Sequence, residues 1–189
     1  MRPLILGLLT ALAACGSAGE TSPTTEVRPE ATSTAPFDPA DLVLYESPTY
    51  GFAVAHPADW TVVEVTAENI IGFTAPANPS AMTPNFNVAV NQVPEDLPPV
   101  AYYEGEIERV RASLENAEVL EVANVNVDGV IGRGLTVITR QSGIDIGISR
   151  IIVINAGRAY ELSFFASAAD LERLAPMVSS IFQSLRFIP

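Results

Sequence analysis

The order of apolar and polar positions divides the chain into period-two stretches, two stretches of helical period, and an N-terminal part with neither. In "YESPTYGFAVAHPADWTVVEV" Phe52, Val54 and His56 alternate, "HPAD" breaks the run, and Trp60, Val62 and Val65 resume it, which predicts two short strands around a turn. "NIIGFTAP" predicts a further strand. "NFNVAVNQV" sets Phe86, Val88 and Val90 on one face and Asn85, Asn87, Ala89 and Asn91 on the other, the signature of a half-buried strand. "VANVNVDGVIGRGLTVITR" reads as two strands joined at Asp128-Gly129, a dipeptide suited to positive φ. "IDIGISRIIVIN" and "AYELSFFAS" make another hairpin across Asn155 to Arg158.

The helical period occurs twice. After Pro98 and Pro99, the residues Val100, Tyr103, Ile107, Val110 and Leu114 recur at helical steps, with Glu104, Glu106, Glu108, Arg111 and Glu115 assigned to the wet side. Near the C-terminus Ser167 and Asp170 stand at capping-box spacing ahead of Leu171, Leu174, Val178, Ile181 and Leu185. Hairpin-linked strands with two one-sided helices predict an α+β fold: an antiparallel β-sheet with amphipathic helices packed on it in an α/β/α sandwich.

The N-terminus follows a different logic. A short positive start (Met1 to Pro3), the apolar "LILGLLTA" and small residues up to Cys15 have the anatomy of a secretory signal. The apolar run falls short of the roughly 20 residues that a membrane span needs. "LAAC" resembles the lipobox of bacterial lipoproteins, in which the cysteine sulfur is acylated and the preceding peptide removed. Ala11-Leu12-Ala13 also fits an ordinary cleavage site, but that would leave a stray thiol in an oxidising compartment. Residues 1–14 are therefore expected to be a lipoprotein signal peptide. Residues 15–41, rich in Ser, Thr and Pro, would be a lipidated cysteine and a disordered tether reaching roughly 30 Å. Residues 42–189 would form one globular domain.

Composition narrows the chemistry. The chain carries a net charge of −12, has 22 acidic residues, and lacks lysine altogether. This excludes nucleic acid and disfavours anionic headgroups, leaving acyl chains on Cys15 to hold the membrane. Schiff-base and P-loop chemistry are ruled out by the missing lysine. One histidine and one cysteine cannot build a Cys/His zinc site. "GVIGRG" has its glycines in the wrong order for a dinucleotide fingerprint, so no cofactor is expected. His56 is the only imidazole base, and no nucleophile elbow accompanies it.

Several residues are candidates for a binding surface. If Tyr103 packs, its neighbour Tyr102 is expected to face water or a partner. Arg140 and Arg150 interrupt apolar strands. At Arg150 either a bulge near Ser149 reverses the faces, or the arginine meets an acid or an anionic ligand. Asn85 and Asn87 would be polar rungs of an exposed sheet face.

The opening "YGF...HP.DW", with Tyr50, Gly51, Phe52, Pro57 and Trp60, and the closing "SSIFQSLRF" resemble the PsbP-like (Mog/PsbP) family, which includes many small bacterial lipoproteins. His56 stands where that family more often has Tyr. The resemblance implies its fold over residues 43–189 and no particular activity. The expected function is that of a lipid-anchored extracytoplasmic lipoprotein of the cell envelope, a non-catalytic binding or accessory module for an envelope protein or small ligand. The alternative is a carboxylate-based enzyme, with or without His56, acting on an envelope substrate.

Overall fold

In the computed structural model, residues 38–77, 82–114 and 116–189 are described. The signal segment, Cys15 and most of the tether lie outside them. In chain order the elements are β1 (Leu42–Ser47), β2 (Phe52–Pro57), β3 (Thr61–Val65), β4 (Ile70–Thr74), β5 (Asn85–Gln92), α1 (Pro99–Ser113), β6 (Glu118–Val127), β7 (Val130–Gln141), β8 (Ile144–Asn155), β9 (Arg158–Ser167), α2 (Ala168–Ser184) and β10 (Arg186–Phe187). Seven strands form one antiparallel sheet in the order β3-β4-β5-β9-β8-β7-β6, and a smaller antiparallel sheet has the order β1-β2-β10.

This is the expected α+β architecture with one correction. The strands read as a pair around "HPAD" belong to different sheets: β2 pairs with β1 and β10, while β3 pairs with β4. The turn after Pro57 redirects the chain so that Trp60 packs against Phe86 and Phe164, with ring centroids 5.9 and 6.1 Å away. Strand periodicity reports a buried face but not the neighbour, and so it could not separate the two sheets.

The long hairpins are closed by the same device. Asp128-Gly129, Ser142-Gly143 and Ala156-Gly157 each place two successive residues at positive φ. This is the twist-matched turn that links strands of a right-twisted sheet. At the first tip the Asn126 side chain also accepts from the Gly129 amide.

The main core fills the space between one face of the large sheet, the small sheet and α2. Phe52, Phe73, Phe86, Val88, Leu162, Phe164, Ile181 and Leu185 are sealed from solvent there. The "YGF" stretch earns its place in this layer. Gly51 has φ +74°, and a side chain there would crowd the Ile188 carbonyl and the Tyr160 hydroxyl. The adjacent Tyr50 carbonyl accepts from both Tyr160 and Arg158.

Helix α2 begins with Ser167 accepting from the Asp170 amide, as the capping spacing predicted. It settles on β8 where Gly147 leaves room, since a Cβ there would stand 2.8 Å from Leu171. The opposite face of the large sheet carries a smaller cluster, with Tyr103 and Val110 of α1 over Leu135, Val137, Ile148 and Ile152. The domain formed by residues 38–189 thus has three layers, and the large sheet separates two differently built interfaces.

Candidate functional site

The α1 face of the sheet collects most of the candidate residues. Register is unbroken along β8, with Arg150 opposite Leu135 on one side and Ser163 on the other. The bulge reading at Ser149 is therefore overturned: Arg150 keeps the face of Ile148 and Ile152 and meets an acid. Its Nε donates to Ser163 Oγ at 2.7 Å, and its Nη1 stands 3.7 Å from Glu161 Oε2. Glu161 lies on β9 two residues before Ser163, a diagonal neighbour within reach of a long side chain.

Glu161 is the hub of the cluster. Its Oε1 accepts from Asn91 at 3.0 Å and from the Tyr102 hydroxyl at 2.8 Å. Tyr102 thus turns toward the sheet rather than toward water, because a helix of 3.6 residues per turn lets adjacent tyrosines flank one packing stripe. Burial and the Glu161 carboxylate both raise the Tyr102 pKa well above that of a free phenol.

Glu106 corrects the helix reading further. Assigned to the wet side, it is 3% exposed, whereas Val100, assigned to the packed side, is 52% exposed. Glu106 pairs with Arg109 at 2.7 Å. Its pKa is raised, first by burial and then by the Glu161 charge, while Arg109 and Arg150 act in the opposite direction. The contact stripe of α1 keeps Tyr103, Ile107 and Val110, loses Val100 at its first turn and widens to take in a carboxylate.

Beside this cluster the helix stands off the sheet and leaves a cavity of about 280 Å³, lined in part by Glu106, Arg150, Glu161 and Phe165. A neighbouring cavity of about 310 Å³ is lined by Asn85 and Asn87 together with Thr139 and Gln141. Leu114, Ile148 and Phe165 border both cavities. Asn85 is itself tied to the Thr83 carbonyl.

The remaining candidates lie elsewhere. Arg140 is exposed at the tip of the β7–β8 hairpin, 3.6 Å from Asp145 and bonded to the Gly143 carbonyl. His56 is buried in β2, with its ring 5.0 Å from that of Phe73 and Nδ1 2.8 Å from the Pro57 carbonyl. It touches none of the carboxylates above and acts as a packing residue. Among the described residues no group of three or more His, Cys, Asp or Glu side chains comes together to hold a metal.

A larger concavity of about 540 Å³ opens on the other side of the sheet. Its floor is the outer part of β6, β7 and β8, including Ala123, Gly134 and Ile151, and α2 supplies one wall through Ala175 and Phe182. No candidate residue but Arg150 borders it, and the guanidinium of Arg150 is bonded to Ser163 on the opposite face.

No protein-family model and no curated protein sequence matches the chain. Solved structures do. Cyanobacterial PsbP from Synechocystis aligns with a TM-score of 0.61 at 14% identity, over 93% of this chain and 98% of that one. The fold is PsbP-like.

LpqN of Mycobacterium tuberculosis, described as involved in cell envelope biogenesis, shares this PsbP-like fold. Its TM-score is 0.59 at 16% identity, over 78% of this chain and 92% of LpqN. The Saccharomyces cerevisiae Ran-binding protein Mog1p gives 0.57 at 7% identity, over 78% of this chain and 95% of Mog1p. Within the PsbP-like domain, sequence reasoning flagged Arg150, Asn85, Asn87 and Tyr102 but missed Glu161, which joins Arg150 to Tyr102, and the buried Glu106 beside it. A signal for Glu161 was present: in "AYELSFF" it falls on the face opposite Tyr160, Leu162 and Phe164, the face shared with Arg150.

Proposed function

We propose that this protein is a membrane-anchored extracytoplasmic lipoprotein whose PsbP-like domain serves as a non-catalytic binding or accessory module. The observation that carries this reading is the open, largely apolar groove of about 540 Å³ between α2 and β6–β8. A concave apolar surface of this size is the usual form of a ligand or partner site. The polar groups of the α1 face bond to one another, as a structural network does. LpqN supports an envelope setting, and no helix among the described residues is long and apolar enough to cross a membrane. Attachment through acyl groups on Cys15 rests on the "LAAC" motif.

A bioorthogonal palmitate analogue fed to growing cells tests the anchor. Wild-type protein takes up label and stays with the membrane, whereas Cys15→Ser is unlabelled and released. An unlabelled wild type overturns the anchor. A photo-crosslinking residue at Ala175 tests the module: a discrete adduct that disappears when the residue is moved to the far face of α1 supports it. Turnover of an envelope substrate lost in Glu106→Gln or Glu161→Gln would favour the carboxylate enzyme instead, through the buried acids that adjoin the cavity under α1.

A further inference from the structure

The geometry points to a specific occupant of the α2-side groove: a small amphiphile that combines an apolar chain with a single positive charge. The inference deepens the binding-module reading and rests on it. The volume of about 540 Å³ lies within the range of roughly 300–1,000 Å³ typical of small-molecule sites. A macromolecular partner would need a broader surface.

The lining selects for hydrocarbon. Ala123, Gly134, Ile151, Ala175 and Phe182 offer no charge, and Leu120, 55% exposed, extends the apolar surface to the mouth. Small residues keep the trough open. At Gly134 a Cβ would already stand 2.9 Å from Val125.

Charge then selects the head. Two charged side chains besides Arg150 border the groove, Glu121 from β6 and Glu172 from α2, and both are acids. Neither takes part in an ion pair among the described residues. The guanidinium of Arg150, held to Ser163 across the sheet, contributes nothing to this side. An anionic head would meet two carboxylates and no cation. An ammonium head would meet two acceptors of opposite charge while its chain left water.

The test uses the full-length protein carrying Cys15→Ser and three probes of equal chain length: octyltrimethylammonium, octyl glucoside and octanoate, with tetramethylammonium as the head alone. Amide chemical shifts are followed by NMR below the micelle concentration. Octyltrimethylammonium is expected to shift Ala123, Gly134 and Ala175 and to bind about fivefold more tightly than octyl glucoside, the ratio that two rim charges can supply. Octanoate is expected to bind most weakly, and tetramethylammonium not to shift these amides.

Glu121→Gln with Glu172→Gln should bring the cationic and neutral probes to parity. Glu104→Gln with Glu108→Gln, on the wet side of α1, should leave the preference intact and so exclude a mere response to net charge. Ala175→Leu should block all three chains, and Ala123→Leu on the opposite side of the groove repeats that test should the first variant fail to fold. Shifts that map to the α1 face, octanoate binding as tightly as the cation, a preference that follows Glu104 and Glu108, or no binding at all each overturn the proposal. None of these outcomes touches palmitate labelling at Cys15, and an unlabelled protein would leave the groove result standing.

Discussion

Helix α2 meets its face of the large sheet through Leu171, Met177, Val178, Ile181 and Phe182, all buried, and through a capped N-terminus. Helix α1 meets the other face through Tyr103, Ile107, Val110 and a carboxylate, Glu106, and its first turn has no side-chain cap. On the α2 side stability is mostly area removed from water, which is insensitive to pH and tolerant of small shifts. On the α1 side it depends on buried charges that must keep their partners. A domain can carry an open groove beside α2 because the core behind it is dense, whereas the cavities under α1 adjoin groups that cannot move independently.

The largest expected effect separates these two interfaces. Ile181→Ala removes a fully buried side chain from the α2-side core and should cost about 3–4 kcal/mol in urea unfolding. Ile107→Ala on α1, where the side chain is buried but belongs to neither core cluster, should cost about half as much. Equal losses would show that the two faces are packed alike.

Next comes the charge cluster. Arg150→Met leaves Glu161 and Glu106 facing each other in a buried site and should cost about 2–3 kcal/mol at neutral pH. Adding Glu161→Gln should recover most of that loss, because the destabilisation comes from the uncompensated charge rather than from the missing arginine. If the double variant is as unstable as the sum of its parts, Arg150 acts through packing alone. Smaller again is Ser167→Ala, which removes the α2 cap and should cost about 1 kcal/mol.

These interfaces differed in how far they could be read from the sequence. Helix α2 was legible because its cap, its apolar stripe and its contact face all agree. The β6–β7 and β8–β9 hairpins followed from alternation and from the turn residues at 128–129 and 155–158, whereas the Ser142-Gly143 turn between β7 and β8 was not read. The three-stranded sheet was not legible, since β1 carries Val43 and Leu44 largely exposed and β10 is only two residues long. Helix α1 was legible at Tyr103, Ile107 and Val110 but not at its margins: Val100 fits the apolar pattern yet lies in water, and Glu106 breaks it yet is buried. Its burial is set by Arg109 and by the neighbouring sheet, and a one-dimensional pattern cannot encode a partner contributed by β8 and β9. The groove was invisible for a related reason, as its residues come from β6, β7, β8 and α2 and none is unusual alone.

The smallest effect is a slope in stability against pH, and it has opposite signs on the two sides of the sheet. Glu106 has its folded-state pKa raised above the ordinary carboxylate value of 4.5, chiefly by burial and then by Glu161. Between those two values the folded protein holds the proton more tightly than the unfolded chain. This contribution is therefore fully present below the unfolded value and is lost as pH rises through the folded one. Asp170 has its pKa lowered below 3.8, chiefly by the Ser167 hydroxyl and then by Arg173. Its contribution is present above the unfolded value and is lost as pH falls through the folded one. Glu106→Gln should therefore flatten the decline in stability above about pH 4.5 and leave the acid limb unchanged, whereas Asp170→Asn should flatten the acid limb below about pH 3.8 and leave the other alone. Urea midpoints of the two variants and wild type, measured from pH 3 to 8, decide it. A slope removed by the wrong substitution would mean that the charge cost does not reside under α1, and the contrast between the two faces would lose its electrostatic half.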